Sequence, residues 1–300
     1  MNTKEIIENL KKLDLKSCTE EDILQLYRNF KLTGVIETTY YPSINPDEDP
    51  NMLVRASNYD PKMEQIANTN RLKYPLLKKH NKHYQRASTP TQPMFYAVRF
   101  KKFSEQNQLS AIKTCLLETI DNYDDLVKEG KRVAISLRYL TEPIHLFSIF
   151  SWEEFQQKNK ENKEVVESFN NKMLTWPSDI QRNTKLVQDY LSKIFHTPVG
   201  SQEHLYKPSA IITQHLFSLP ELIERDIDGV LFPSIKVSGK ELNVAMIPDK
   251  SDQKLRVTKV LDCKYKPNKI VEIQKAANIS PNSKIINFDE ILNFPIDLKI

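Results

Sequence analysis

Between residues 84 and 119 the chain sets Arg86, Tyr96 and Glu118 in hydrophobic frames: Tyr-Gln-Arg-Ala-Ser (84–88), Met-Phe-Tyr-Ala-Val (94–98) and Ala-Ile-Lys-Thr-Cys-Leu-Leu-Glu-Thr (111–119). A cation, a phenol and a carboxylate around one cleft would suit an anionic sugar-phosphate ligand and chemistry at a sugar carbon. Arg86 follows a basic, polar stretch, Tyr96 lies in a strand-like run and Glu118 comes late in a helix-like one. The three converge only if that strand and that helix pack together.

The elements that must do this can be read from periodicity and punctuation. Leu53-Val54-Arg55-Ala56 is a short strand candidate, residues 61–90 are irregular and basic, 94–100 read as a strand, and 110–122 fit a helix with Ile112, Cys115, Leu116 and Thr119 on one face. Strands follow at 133–140 and 144–149, parted by Thr141-Glu142-Pro143. The stretch 152–195 is helical in composition, with Leu186, Val187, Tyr190, Leu191 and Ile194 at helical spacing, and 209–217 is a further helix candidate. After Asp228-Gly229 the pattern turns to strands at 230–234, 243–247 and 255–260. Upstream, Ile6, Ile7, Leu10 and Leu13 predict a helix over 3–13, and Thr19 with Asp22 is a capping-box-like start to a second. Three prolines and three acids make 41–50 a loop. Short strands and helices without regular βαβ alternation predict an α+β fold.

Composition narrows the classes. At 39% hydrophobic and 27% charged the chain has enough apolar residues for a real core. Its longest apolar stretches, such as 144–150, fall far short of a membrane helix, and the Lys/Glu-rich N-terminus has no signal-peptide core, so the expectation is a cytoplasmic protein without a membrane partner. The 43 basic residues barely outnumber the 39 acidic ones, which does not indicate a nucleic-acid partner. The local basic cluster of Arg71, Lys73, Lys78, Lys79, Lys82 and Arg86 reads either as a solvated loop or as a phosphate-facing patch. Cys18, Cys115 and Cys263 have no CxxC spacing, so free thiols are expected, and His80 with His83 lacks companion ligands, so no metal is assigned. Only five glycines occur, none in a GxGxxG or GxxxxGKS arrangement, so a bound nucleotide would need a cradle other than a Rossmann or P-loop turn.

In order along the chain, Leu53-Val54-Arg55-Ala56, Gln85-Arg86-Ala87-Ser88, Phe95-Tyr96-Ala97, the helix 111–118 ending in Glu118, and Asp228-Gly229-Val230-Leu231-Phe232-Pro233-Ser234 followed by Asn243-Val244-Ala245 make five elements. In types and order they resemble the RES domain, a family named for its Arg, Glu and Ser. The resemblance spans roughly residues 50–260, and its specificity lies in the five together. Gln85 and Ser88 stand where the family often has Gly and Asn. The stretch from about 120 to 205 is long for the family, which suggests added helices over the pocket or toward a partner.

What the resemblance implies is an ADP-ribosyltransferase-like α+β core of short mixed strands with surrounding helices. The domains would be a helical extension with its Pro/acidic loop at 1–50, a catalytic domain at 51–262 with a helical insertion at about 150–205, and a C-terminal segment at 263–300 packing on the core. It implies an NAD-degrading enzyme that cleaves the nicotinamide–ribose bond by hydrolysis or phosphorolysis, as many toxins of toxin–antitoxin pairs do. NAD would be the substrate, inorganic phosphate a co-substrate in the second case, and no cofactor would be required. An antitoxin protein or a second copy of the chain would be the partner. Transfer of ADP-ribose to a protein and an inactive nucleotide- or protein-binding module are the alternatives.

Residue by residue, Glu118 would stabilise positive charge on the ribose or orient its hydroxyls and the acceptor; a solvated acid at a helix end is its other reading. Arg55 and Arg86 would hold the diphosphate as planar forks, or be a strand-end charge and one more member of the basic loop. Tyr96 would offer a face to nicotinamide and a hydroxyl to a phosphate or ribose oxygen, or simply pack in the core. Ser234, without a GxSxG elbow, would bond the amide or a phosphate rather than act as nucleophile, or serve the turn. Asn243 would bind substrate or bridge strands.

Overall fold

A computed structural model describes residues 1–30, 38–41, 52–75, 83–100, 105–150, 160–200, 202–280 and 283–299. The fold is α+β and centres on one mixed sheet of ten strands. The strands are β1 (Thr38–Tyr41), β2 (Met52–Tyr59), β3 (Phe95–Phe100), β4 (Arg132–Leu140), β5 (Ile144–Ser148), β6 (Gly229–Pro233), β7 (Leu242–Met246), β8 (Leu255–Lys266), β9 (Ile270–Asn278) and β10 (Glu290–Asp297). Their order across the sheet is β1-β5-β6-β7-β3-β2-β4-β8-β9-β10. Only β5 and β6 run parallel; the other neighbours are antiparallel.

The helices form where the apolar period and the caps agree. α1 (Thr3–Lys12) and α2 (Glu20–Tyr27) each begin with a complete capping box, Asn2 with Glu5 and Thr19 with Asp22, which satisfies amide groups that have no partner within the helix. They bury Ile6, Ile7, Leu10, Ile23 and Tyr27 against α6 (Ser178–His196), α7 (Lys207–Phe217) and the sheet residues Val230, Phe232 and Ala245. α3 (Glu105–Glu118) lies on the same face of the sheet over β2 and β3, where Ala111, Ile112, Cys115 and Leu116 pack on Val54, Ala56 and Val98. The opposite face of the central strands buries Leu53, Phe95, Ala97, Leu140, Leu231 and Val244.

The helical run expected over 152–195 is divided. α5 (Lys160–Met173) and α6 are separated by a turn ending at Pro177, and 151–159 lie outside the described residues. Most of the expected loop at 41–50, together with His80 and Lys78, Lys79 and Lys82 of the basic cluster, also falls outside them. The segment 263–300 extends the sheet, supplying the end of β8, all of β9 and β10, two strands the periodicity reading left unassigned. The turn into β9 is made by Asn268 and Lys269 at φ 65° and 60° without a glycine, so the usual hairpin signal is missing from the sequence.

Two neighbours in sequence lock β6. Asp228 is fully buried; Lys254 Nζ reaches its two oxygens at 2.8 and 2.9 Å, and His145 N donates to it at 2.8 Å, tying the start of β6 to β5 and to α9 (Pro248–Lys254). Gly229 then passes so close to β7 that a Cβ there would sit 2.2 Å from Ala245 O and 2.8 Å from Met246 Cα. Both obstacles are backbone and cannot rotate away. Gly229→Ala should therefore lower the unfolding free energy by about 2–3 kcal/mol, read from urea denaturation; an unchanged midpoint would mean that β6 and β7 do not approach so closely.

Candidate functional site

The site is built where the sheet parts. β2 and β3 pair through Met52↔Phe100, Leu53↔Arg99 and Val54↔Val98, and there the ladder stops, while β2 continues along β4 and β3 continues along β7. The main-chain groups that ladder would have used must bond elsewhere. Cys115 Sγ of α3 accepts from Ala56 N at 3.0 Å and donates to Val54 O at 3.2 Å. Arg55 Nη1 donates to Tyr96 O at 2.8 Å. A thiol and a guanidinium thus occupy the place of the next rungs, and burial pushes the Cys115 thiol up to about 12, so it serves as a structural group.

Glu118 ends α3 beside this opening. Its Oε1 accepts from Ser234 Oγ at 2.6 Å and from Asn243 Nδ2 at 2.8 Å. Register explains why residues so distant in sequence meet. Asn243 pairs with Phe232 on one side and Val98 on the other, and alternation then puts the side chains of Phe232, Ser234, Asn243, Val98 and Tyr96 on the face that α3 covers. Ser234 is fully buried, and its backbone is pinned at the end of the β6–β7 hairpin by Ser234 N to Glu241 O and Gly239 N to Ser234 O. The end of α3 is tied down through Thr119 O, which accepts from Asn58 Nδ2 at 2.9 Å while Asn58 Oδ1 accepts from Tyr265 OH at 2.6 Å. Both bonds to Glu118 fall on Oε1, so Oε2 makes none among the described residues; Asn243 Oδ1 is buried and likewise unbonded.

Arg86 and Tyr96 form a second group. Tyr96 OH accepts from Ala87 N at 2.8 Å and from Ser88 Oγ at 3.1 Å, so the phenol shapes the turn that carries Arg86. Burial raises this phenol to about 12 despite those two bonds. Arg86 is buried; its Nη1 donates to Phe195 O and, at 3.5 Å, to Thr197 O at the end of α6, and its guanidinium lies 5.2 Å from the Tyr206 ring centre. Nε and Nη2 of Arg86 make no bond among the described residues. The Tyr206 phenol is raised mainly by burial, with Arg86 lowering it and Glu118 and Asp121 raising it, so this ring lies within the fields of both groups.

Arg55 is placed differently. It alternates with Val54 and Ala56, which face α3, so its side chain leaves β2 on the other face, where Nε donates to Leu72 O at 3.1 Å and Lys73 O at 3.0 Å. Of the six candidate residues, Glu118, Ser234 and Asn243 are bonded together, Arg86 and Tyr96 share the turn beside them, and Arg55 reaches the site through the Tyr96 carbonyl. Tyr206, His196, Asn58, Tyr265 and the wedge role of Cys115 had no motif or spacing to mark them. His83 pairs with Glu203, and no group of three or more His, Cys, Asp or Glu that could hold a metal occurs among the described residues. No described helix is long and apolar enough to cross a membrane. Compared with models of known protein families and with curated proteins, the chain finds no match.

His196, the last residue of α6, stands behind Arg86. Its Nδ1 lies 3.1 Å from Ser192 Oγ, and the ring is lowered to about 4 by burial and the charge of Arg86, partly offset by hydrogen bonds with Ser192 and Pro233. The unfolded chain takes up this proton at about 6.5 and the folded chain only near 4. Stability from this group is therefore full above pH 6.5 and is lost as pH falls toward 4. Relative to wild type, His196→Gln should flatten the fall in unfolding free energy between pH 6.5 and 4 by roughly 2 kcal/mol; parallel pH profiles of the two proteins would contradict it.

Proposed function

We propose that the chain cleaves the nicotinamide–ribose bond of NAD, in the manner of the RES domain it resembles. The observation that carries this reading is the Glu118 carboxylate, fixed by Ser234 and Asn243 through one oxygen and left with the other unbonded at a parting in the sheet. Breaking the glycosidic bond sends the bonding electron pair to the departing nicotinamide nitrogen and leaves positive charge on the ribose carbon. A carboxylate oxygen already oriented by two donors stabilises that charge without reorganising, and a water or phosphate oxygen then bonds to the same carbon. Asn243 Oδ1 would accept from a ribose hydroxyl or an amide N–H of the ligand, which gives that buried acceptor its missing partner.

Arg86 spends one nitrogen on the end of α6 and keeps Nε and Nη2 for a phosphate oxygen, while Tyr206 lies over its guanidinium as one wall. Tyr96 holds the turn that presents Arg86, so its part is to position. Arg55 lies on the other side of the opening, and a diphosphate that reaches it must enter the gap between β2 and β3.

The test is nicotinamide release from NAD by the purified chain, with and without phosphate. Glu118→Ala should lower kcat by about 10³-fold and Ser234→Ala by about tenfold, both with the fold intact by circular dichroism. Absence of turnover in the wild-type chain under both conditions, or full turnover in Glu118→Ala, would overturn the reading.

A further inference from the structure

On the face of the sheet away from Glu118, two arginines stand side by side without an acid between them. Arg138 of β4 is 4% exposed, and Arg55 of β2 is partly buried. Arg55 Nε and Arg138 Nη2 donate to the same carbonyl, Leu72 O, at 3.1 and 2.8 Å. Arg138 Nε donates to Ser136 Oγ at 3.3 Å. The two guanidiniums lie 5.3 and 4.9 Å from the centre of one ring, Phe95. Neither is bonded to a carboxylate among the described residues. Asp252, the acid whose field reaches Arg138, is already held by Lys73 Nζ at 2.9 Å and by Tyr74 OH at 3.1 Å.

Two permanent charges packed this way repel, and desolvation adds to the cost. Burial lowers Arg55 to about 10, and burial with the charge of Arg55 lowers Arg138 to about 9. Carbonyl dipoles orient the forks but cancel neither charge. Each fork also keeps a terminal nitrogen without a hydrogen bond among the described residues, Nη2 of Arg55 and Nη1 of Arg138. A doubly charged anion with several acceptor oxygens meets both needs, neutralising the pair and taking bonds from both forks.

We propose that Arg55 and Arg138 form a binding site for a phosphoryl group on the face of the sheet opposite Glu118. This site is read from charge and geometry alone and stands whether or not the chain cleaves NAD. Its occupant is a free phosphate or pyrophosphate, or the diphosphate of a dinucleotide that enters the gap between β2 and β3.

The experiment is titration of the full chain with inorganic phosphate, pyrophosphate and ADP-ribose at constant ionic strength, followed by calorimetry and by the melting temperature. Phosphate or pyrophosphate should bind saturably to wild type whether or not the chain releases nicotinamide from NAD, which separates this site from the cleavage reading. Arg138→Met should abolish that binding. Arg138→Lys, which keeps the charge but loses the fork, should weaken it by about tenfold and decides the matter if Arg138→Met does not fold. Competition between ADP-ribose and phosphate would identify the dinucleotide diphosphate as the occupant; simultaneous binding of both would identify a separate phosphate. No saturable phosphate or pyrophosphate binding to wild type, or unchanged affinity in Arg138→Lys, would overturn the proposal.

Discussion

The constraint on which the rest depends is that β2 and β3 separate after Val54 and Val98, so that the main-chain groups at the parting need partners other than each other. A sheet that opens without substitutes would leave buried donors and acceptors unpaired, at about 1–3 kcal/mol each. Here Cys115 comes from the helix side and bonds both Ala56 N and Val54 O, and Arg55 comes from the strand itself to bond the Tyr96 carbonyl. The thiol suits a gap of this kind because it is small, gives and takes one weak bond, and stays protonated when buried. With these main-chain groups bonded at the parting, each strand can follow its other neighbour.

That opening orders the polar groups around it. α3 must lie over β2 and β3 for Cys115 to reach the backbone, and once it does, its last residue, Glu118, arrives above the β6–β7 hairpin. Asn58 and Tyr265 fix the helix end from one side, and Ser234 and Asn243 fix the carboxylate from the other. Each of these bonds is short; Asn58, Tyr265 and Asn243 lie on strands and Ser234 directly follows β6, so the position of Glu118 is set largely by the sheet. The Arg86 turn is secured separately through Tyr96, Gln214 and the end of α6, with Tyr206 touching both territories electrostatically.

Legibility in the sequence followed local physics. The capping boxes of α1 and α2, the apolar faces of α3 and α7 and the apolar runs of β3 to β7 are carried by neighbouring residues, and the strand and helix candidates agree with them to within a few residues at most ends. β9 and β10 were not legible, because β9 mixes Glu, Gln and Lys with its buried Val271, Ile273 and Ala276, and its turn uses Asn268 and Lys269 where a glycine would have signalled a hairpin. Their burial is given by what packs on them: β9 pairs with β8 and β10 with β9, and Val271, Ile273, Ala276 and Ile296 join the cluster that α3 and β4 build from distant parts of the chain. Tyr206, His196 and Asn58 were illegible for the same reason: an aromatic, an imidazole and an amide acquire a role only from what packs against them.

By itself the sequence determined the α+β alternation, the glycine-poor composition that rules out the familiar glycine-rich phosphate loops, and the ordered set of Arg55, Arg86, Tyr96, Glu118, Ser234 and Asn243. These follow from residue type and spacing, which act over a few turns of chain. Only the tertiary structure decided which of the six share a face. Side chains alternate across a strand, so Asn243 and Ser234 turn toward Glu118 while Arg55 turns away to join Arg138. The register between strands far apart in sequence set that division, through hydrogen-bond pairings that no single segment can specify alone.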